Sequence, residues 1–162
     1  MTGQTIADLM YAEAAKRTSM PLEVHNPSQP LQKLVLLLPR NGHRVEPLQA
    51  AAIKADGGKA RGTNFSRALL AEFTTDIFWG DTKIEIDGRD PEASLFGDWA
   101  VRGWVRDKLV QEHEENPKET PAPPATLSPA DAVFGLIKND GDIIHMAETV
   151  MGLANYIHDP LD

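Results

Sequence analysis

The chain of 162 residues contains no cysteine. This absence excludes disulfide bonds, thiolate nucleophiles, cysteine-ligated iron–sulfur clusters and cysteine zinc sites. Long apolar stretches are also missing: the longest unbroken aliphatic run has five residues, Leu34 to Leu38, whereas a membrane-spanning helix needs about 20. Residues 1–20 lack the apolar core of a secretory signal. We therefore expect a soluble, cytoplasmic protein that does not engage a membrane.

Catalytic and metal-binding motifs are equally scarce. None of the five histidines stands in His-x3-His or His-Glu-x-x-His spacing, so no metal site is indicated. The glycines at 57–58 lack the spacing of a phosphate-binding loop, and no Gly-x-Ser-x-Gly element marks a nucleophilic serine. No motif is specific enough to resemble a known family. The sequence predicts a non-catalytic protein without cofactor or metal; a small enzyme with an unrecognised site stays open as an alternative.

The charges are unevenly distributed along this acidic chain. Lys and Arg total 16 and Asp and Glu total 24, which gives a net charge of −8, yet residues 32–72 carry more basic than acidic side chains. An acidic protein repels nucleic acid at long range, but a local basic stripe can still contact phosphates. These cations either pair with acidic groups of the same chain or make the protein a nucleic-acid-associated subunit or regulator. The candidate phosphate-binding residues of segment 40–67 are Arg40, Arg44, Lys59, Arg61 and Arg67.

The apolar periodicity predicts an α+β fold that is predominantly helical. Residues 32–38 and 82–87 are the predicted strands of a small antiparallel sheet, and Pro21 to His25 is a candidate edge strand. Helical spacing follows in several segments that would cover the sheet. These predicted helices span residues 5–17, 47–55, about 63–78 and 90–115.

The proline content predicts the domain organisation. Four prolines fall within residues 116–126, which is typical of a semi-rigid linker. We therefore expect a main α+β domain over residues 1–116, a proline-rich linker over 117–128 and a C-terminal αα-hairpin over 129–162.

The last predicted helix carries apolar side chains over about half of its circumference. Two short helices cannot bury so broad a face between themselves, so it must pack on the main domain, on a second copy of the chain or on another protein. The residues predicted to bind a partner are Ile143, Met146, Val150, Met151, Leu153 and Ile157.

A run of glutamates at the end of the preceding helix is the second candidate surface. Glu112, Glu114 and Glu115 form an acidic patch that continues to Glu119. Acidic side chains near a helix C-terminus are unfavourable to the helix dipole, so the patch has no local stabilising reason and suits a basic partner. The predicted function is protein–protein interaction, as an adaptor or an inhibitor of a larger complex, including one that handles nucleic acid.

Overall fold

The computed structural model describes Ile6 and residues 21–37, 50, 53–54, 57–58, 63–92 and 94–158, with side chains as far as Leu153. Together its strands and helices form an α+β fold that is mainly helical, as predicted. In chain order they are β1 (Leu22–Asn26), β2 (Gln29–Leu36), α1 (Thr63–Phe73), β3 (Thr74–Trp79), β4 (Thr82–Lys83), α2 (Trp99–Glu115), α3 (Pro129–Ile137) and α4 (Asp140–His158).

Four antiparallel strands form the sheet in the order β1-β2-β3-β4. Val24 pairs with Leu34, which pairs in turn with Ile77, and all three side chains are buried on the face that the helices cover. Since side chains alternate between the two faces of a strand, the next residues turn away from the core. There the Lys33 ammonium lies 4.6 Å from the centre of the Phe78 ring.

The prediction that the helix over residues 63–78 continues through Ile77 is wrong, because residues 74–79 form the strand β3. The helix ends at Phe73, and β3 begins at the next residue. The four-residue apolar spacing suits either structure over so short a stretch, but pairing of Ile77 with Leu34 makes this segment a central strand. Thr74 favours the change because its hydroxyl donates to the Leu70 carbonyl at 2.6 Å and closes the helix end.

The strand predicted over residues 82–87 is shorter than expected. It covers only Thr82–Lys83 and pairs with β3, which separates it from β2. The sheet also gains the edge strand that the alternation from Pro21 to His25 suggested, which the structure places at Leu22–Asn26.

The helix predicted over residues 90–115 begins instead at Trp99. Asp98 is its N-cap and accepts a hydrogen bond from the Ala100 amide at 2.8 Å. The Asp90 carboxylate accepts from the amide two residues later, at Glu92, so it closes a turn and does not cap a helix. The predicted helices 5–17 and 47–55 lie outside the described residues, apart from Ile6, Ala50, Ile53 and Lys54, which are helical.

The C-terminal hairpin shares one hydrophobic core with the sheet and with α1. Ile143, Met146 and Val150 have no exposed surface, because α4 packs against α1 and β1. The hydroxyl of Ser28, in the β1–β2 turn, also donates to the Asp142 carboxylate at 2.9 Å. The buried apolar residues of the last helix, among those whose side chains are described, therefore pack on their own chain.

Residues 117–128 contain no helix or strand, as expected of a linker. The division into domains on either side of this segment stays a prediction. Among the described residues, no helix combines the length and the apolar character that crossing a membrane demands.

Candidate functional site

The predicted phosphate-binding residues divide into two groups. Arg40, Arg44, Lys59 and Arg61 lie outside the described residues. Arg67 is described, and its guanidinium donates to both carboxylate oxygens of Asp140 at 2.9 and 2.8 Å.

A second contact holds the same guanidinium, which lies 4.2 Å from the centre of the Phe134 ring. The Arg67 side chain is only 18% exposed, so its charge is used within the chain. The expectation that Arg67 contacts phosphates stays a prediction, and such a contact would compete with Asp140 for the guanidinium.

The apolar residues predicted to bind a partner are mostly core residues. Ile143, Met146 and Val150 are fully buried, which removes them from any surface that a partner could reach in this conformation. Met151 and Leu153 are half-buried and pack against the same core. The side chain of Ile157 lies outside those described.

The predicted acidic patch divides by position on α2. Glu112 is half-buried and forms an ion pair with Lys138, the C-cap residue of α3. Glu114 and Glu115 are exposed, and Glu115 accepts a hydrogen bond from Gln111 at 3.4 Å. Only Glu112 of the three faces the neighbouring helix and the groove described next.

A groove of about 560 Å³ lies between α2, the proline-rich segment and α3. Apolar side chains, including Leu109, Leu127 and Phe134, line part of it. Phe134 is 38% exposed, a high value for a ring beside a core of fully buried side chains. The groove is thus an apolar recess that opens to solvent.

The close approach of α3 to α2 determines the shape of the groove floor. Gly135 of α3 is buried, and a Cβ added there would lie 2.9 Å from side-chain atoms of Val105 and Leu109. No larger residue fits between the helices without a shift of these neighbours. A glycine in a helix interior costs about 1 kcal/mol relative to alanine, and here it allows the two helices to pack closely.

The proline wall of the groove is held by side chains of α2. The Arg106 Nε donates to the Pro124 carbonyl at 2.7 Å, and His113 Nδ1 lies 2.7 Å from the Thr120 carbonyl oxygen. Arg102 reaches the Leu127 carbonyl at 3.3 Å. These contacts satisfy carbonyl groups of a segment without secondary structure and keep it against the helix.

The third wall begins at a well-formed helix start. Ser128 is the N-cap of α3 and accepts from the Asp131 amide at 3.1 Å, with Pro129 at the first helical position. The helix ends at Ile137, and its C-cap residue Lys138 adopts a left-handed conformation with φ 69°. This sharp end places the Lys138 ammonium beside Glu112 across the groove.

The charged groups that line the groove are mainly acidic. Glu112, Glu119 and Asp131 contribute three carboxylates, and Lys138 contributes one ammonium that is already paired. Glu119 and Asp131 are exposed at the rim. An apolar recess with an acidic rim attracts cations and repels phosphates.

A second hollow of about 450 Å³ lies beside the N-terminal half of α2. Its acidic members are Glu85, Asp87 and Asp107, next to the ring of Trp104. The Lys108 ammonium lies 4.7 Å from the centre of that ring and supplies a cation of the chain itself. Within the described residues, no group of three or more His, Asp or Glu side chains is arranged to hold a metal ion.

Asp76 of β3 lies outside both hollows and forms ion pairs with two cations of the chain. Burial acts to raise the pKa of Asp76, but hydrogen bonds from Arg89 and Lys83 outweigh it and keep this pKa below its ordinary value. Arg89 and Lys83 lie 3.1 and 3.2 Å from the same Asp76 oxygen. This network connects the turn after β4 to the sheet and stabilises the fold.

Comparison of the chain with protein-family models, with curated proteins and with solved structures finds no match.

Sequence reasoning identified two acidic residues of the groove, Glu112 and Glu119, and missed its apolar lining. The groove depends on the distance between α2 and α3, which no local pattern reports. The sequence carried one usable signal. Phe134 and Gly135 are adjacent in a short helix, and a glycine there is unfavourable unless another element approaches closely.

Proposed function

We propose that the protein is a non-catalytic interaction protein that binds a segment of another protein in the groove between α2, the proline-rich segment and α3. It would act there as an adaptor or an inhibitor. The observation that carries the proposal is the combination of an open apolar recess with a rim that has more carboxylates than cations.

The dimensions of the groove suit a peptide segment. Its volume of about 560 Å³ lies within the range of ordinary ligand sites, about 300–1,000 Å³. One large apolar side chain of a partner would pack between Leu109, Leu127 and the exposed part of Phe134. Burying such a side chain is worth about 1.5–3 kcal/mol, which is enough for an anchor but requires additional contacts for specificity.

The charge of the rim selects the partner. Glu119 and Asp131 are exposed and belong to two different walls of the groove, the proline-rich segment and α3. The occupant is therefore a segment with Lys or Arg on both sides of its apolar anchor. Charge complementarity of this kind raises the association rate and the specificity, and the effect weakens as salt is added.

The alternative function, nucleic-acid binding through segment 40–67, rests mostly on residues outside those described. The one described member, Arg67, is paired with Asp140, and the groove repels phosphates. No observation on the described residues favours this alternative.

The test uses a fluorescent peptide with a central leucine flanked by two lysines on each side, and a second peptide in which glutamate replaces every lysine. We expect the lysine peptide to bind the full chain, as followed by fluorescence anisotropy, and the glutamate peptide not to bind. The affinity should fall when the salt concentration rises from 50 to 500 mM.

A charge-matched pair of variants then locates the site. Glu119→Lys changes the rim, whereas Glu114→Lys makes the same charge change on an exposed residue that does not line the groove. We expect Glu119→Lys to weaken binding of the lysine peptide about tenfold and Glu114→Lys less than about twofold. Equal effects of the two variants, or no binding of the lysine peptide at millimolar concentration, would refute the groove as the site.

A further inference from the structure

The groove contains one ion pair that belongs to the chain itself. The Lys138 ammonium, just after α3, contacts the Glu112 carboxylate of α2, and both residues line the groove. The other two lining carboxylates, Glu119 and Asp131, form no ion pair with any residue that the structure describes. Of these three carboxylates, Glu112 is therefore the one whose charge the protein already neutralises.

The backbone of Lys138 has a conformation that lysine rarely adopts. Its φ is 69°, and among the described residues it is the only one other than glycine with a positive φ. A left-handed residue that follows a helix is usually glycine, because a Cβ is unfavourable in this conformation. Backbone strain of this kind is concentrated at sites where a side chain has a function, so the question is what the Lys138 side chain does.

The Lys138 ammonium is not needed to close the end of α3. The backbone amide of Lys138 donates to the Phe134 carbonyl at 2.7 Å, which satisfies an acceptor at the helix end. The Lys138 side chain is 53% exposed, so it can leave Glu112 for solvent without opening the core. A partly exposed ion pair contributes little to stability, and Glu112 is therefore open to exchange with another cation.

We propose that Lys138 is a specificity-determining residue of the groove, because its ammonium masks Glu112 until a partner's cation replaces it. Glu112 lies three residues after Leu109 on α2, and residues at this spacing are neighbours on a helix surface. A lysine or arginine beside the apolar anchor of the partner therefore reaches Glu112 while the anchor contacts Leu109. A segment that brings only an apolar side chain leaves the internal pair in place.

This inference rests on the proposed groove function and adds a selection step to it. Glu119 and Asp131 attract any basic segment from solution, whereas Glu112 accepts a cation only by exchange. The exchange breaks one ion pair for each pair that it forms, so it weakens binding relative to an unmasked carboxylate. Weak basic partners are disfavoured as a result, which is specificity by competition.

The test repeats the anisotropy titration of the lysine peptide with two variants that each lose one positive charge. Lys138→Met removes the ammonium that masks Glu112 and keeps an unbranched side chain. Lys118→Met is the matched control, since Lys118 is exposed and does not line the groove. We expect Lys138→Met to bind the peptide about three times more tightly than the parent, and Lys118→Met to differ from the parent by less than about 1.5-fold.

A double-mutant cycle separates masking from simple repulsion between Lys138 and the peptide. Glu112→Gln should weaken binding about twofold in the parent, where Glu112 is masked, and about sixfold in the Lys138→Met chain, where Glu112 is free. Circular dichroism and thermal melting establish that each variant is folded. Equal effects of Glu112→Gln in the two chains would mean that Lys138 only repels the peptide, and would overturn the proposal.

The titrations also distinguish failure of this inference from failure of the groove function. If Lys138→Met and Lys118→Met bind the lysine peptide as the parent does, masking is refuted and the groove function stands. If the peptide binds none of these chains at millimolar concentration, the groove function is refuted and this inference falls with it. Binding to Lys138→Met alone would support masking, since only the chain with a free Glu112 would then hold the peptide.

Discussion

Arg67 and Asp140 join the first described helix to the start of the last one. The two nitrogens of the guanidinium lie 2.9 and 2.8 Å from the two carboxylate oxygens, a bidentate geometry that lysine cannot reproduce. Asp140 also belongs to the first turn of α4, where a negative charge is favourable to the helix dipole. The pair therefore stabilises the docking of the hairpin on α1.

Arg67→Lys should lower the free energy of unfolding by about 1–2 kcal/mol, because one of the two charge-assisted hydrogen bonds is lost along with the stacking on Phe134. Urea unfolding measures the change. A double-mutant cycle with Asp140→Asn should give a coupling energy of about 1 kcal/mol. A coupling close to zero would mean that the ion pair does not contribute to docking.

Met146→Ala tests whether the hairpin is core. Because Met146 is fully buried, the substitution should cost about 2–5 kcal/mol through lost transfer energy and the cavity that remains. The same reasoning predicts that a chain ending at Asn116 does not fold. The measurements are urea unfolding of the variant and circular dichroism of the shortened chain. A folded, monomeric fragment 1–116 would show that the hairpin is dispensable for the core.

Gly135→Ala tests the contact between α2 and α3. The added methyl meets Val105 and Leu109 at 2.9 Å, and overpacking of this kind costs about 1–3 kcal/mol, against a gain of up to about 1 kcal/mol in helix propensity. We expect net destabilisation and a change in the groove.

Gly103→Ala is the control for this comparison, because a Cβ at Gly103 of α2 meets nothing within 4 Å. It should stabilise the protein by about 0.5–1 kcal/mol. The thermal midpoints of the two variants should therefore move in opposite directions. Equal shifts would indicate that α3 does not approach α2 as closely as the structure shows.

Asp98 makes the stability depend on pH in the acid range. The backbone amide of Asp90, at 2.6 Å, is the main cause that holds the pKa of Asp98 below its ordinary value of 3.8, and the Ala100 amide adds to it. A carboxyl whose pKa is lower in the folded state stabilises the fold above its unfolded pKa, and this stability is lost as the pH falls through the folded value.

Asp98→Asn should therefore be less stable than the parent at pH 7, and the difference should shrink between pH 4 and pH 2. Urea unfolding at a series of pH values measures both curves. Asp76, whose pKa is also lowered, remains in both proteins, so the variant keeps part of the acid sensitivity. A constant difference over the whole range would show that the Asp98 charge is not involved.

Local patterns predicted the elements whose signals are short-range. The αα-hairpin predicted within residues 129–162 is present as α3 and α4. The residues around Ile77 show where this reasoning stops. Helical spacing continued through Ile77, but hydrogen bonds to β2 outweighed it, because a central position in a sheet depends on strands that are distant in sequence.

The amino-acid sequence alone determined the α+β composition, the hairpin, the proline-rich segment and the lack of cysteine chemistry, since each follows from the residues themselves or from their spacing. Tertiary structure alone decided that the apolar side of α4 packs on its own chain, that Arg67 pairs with Asp140, and that α2 and α3 approach closely enough at Gly135 to form a groove. These outcomes depend on which surfaces meet across long sequence separations, and local patterns do not encode that choice.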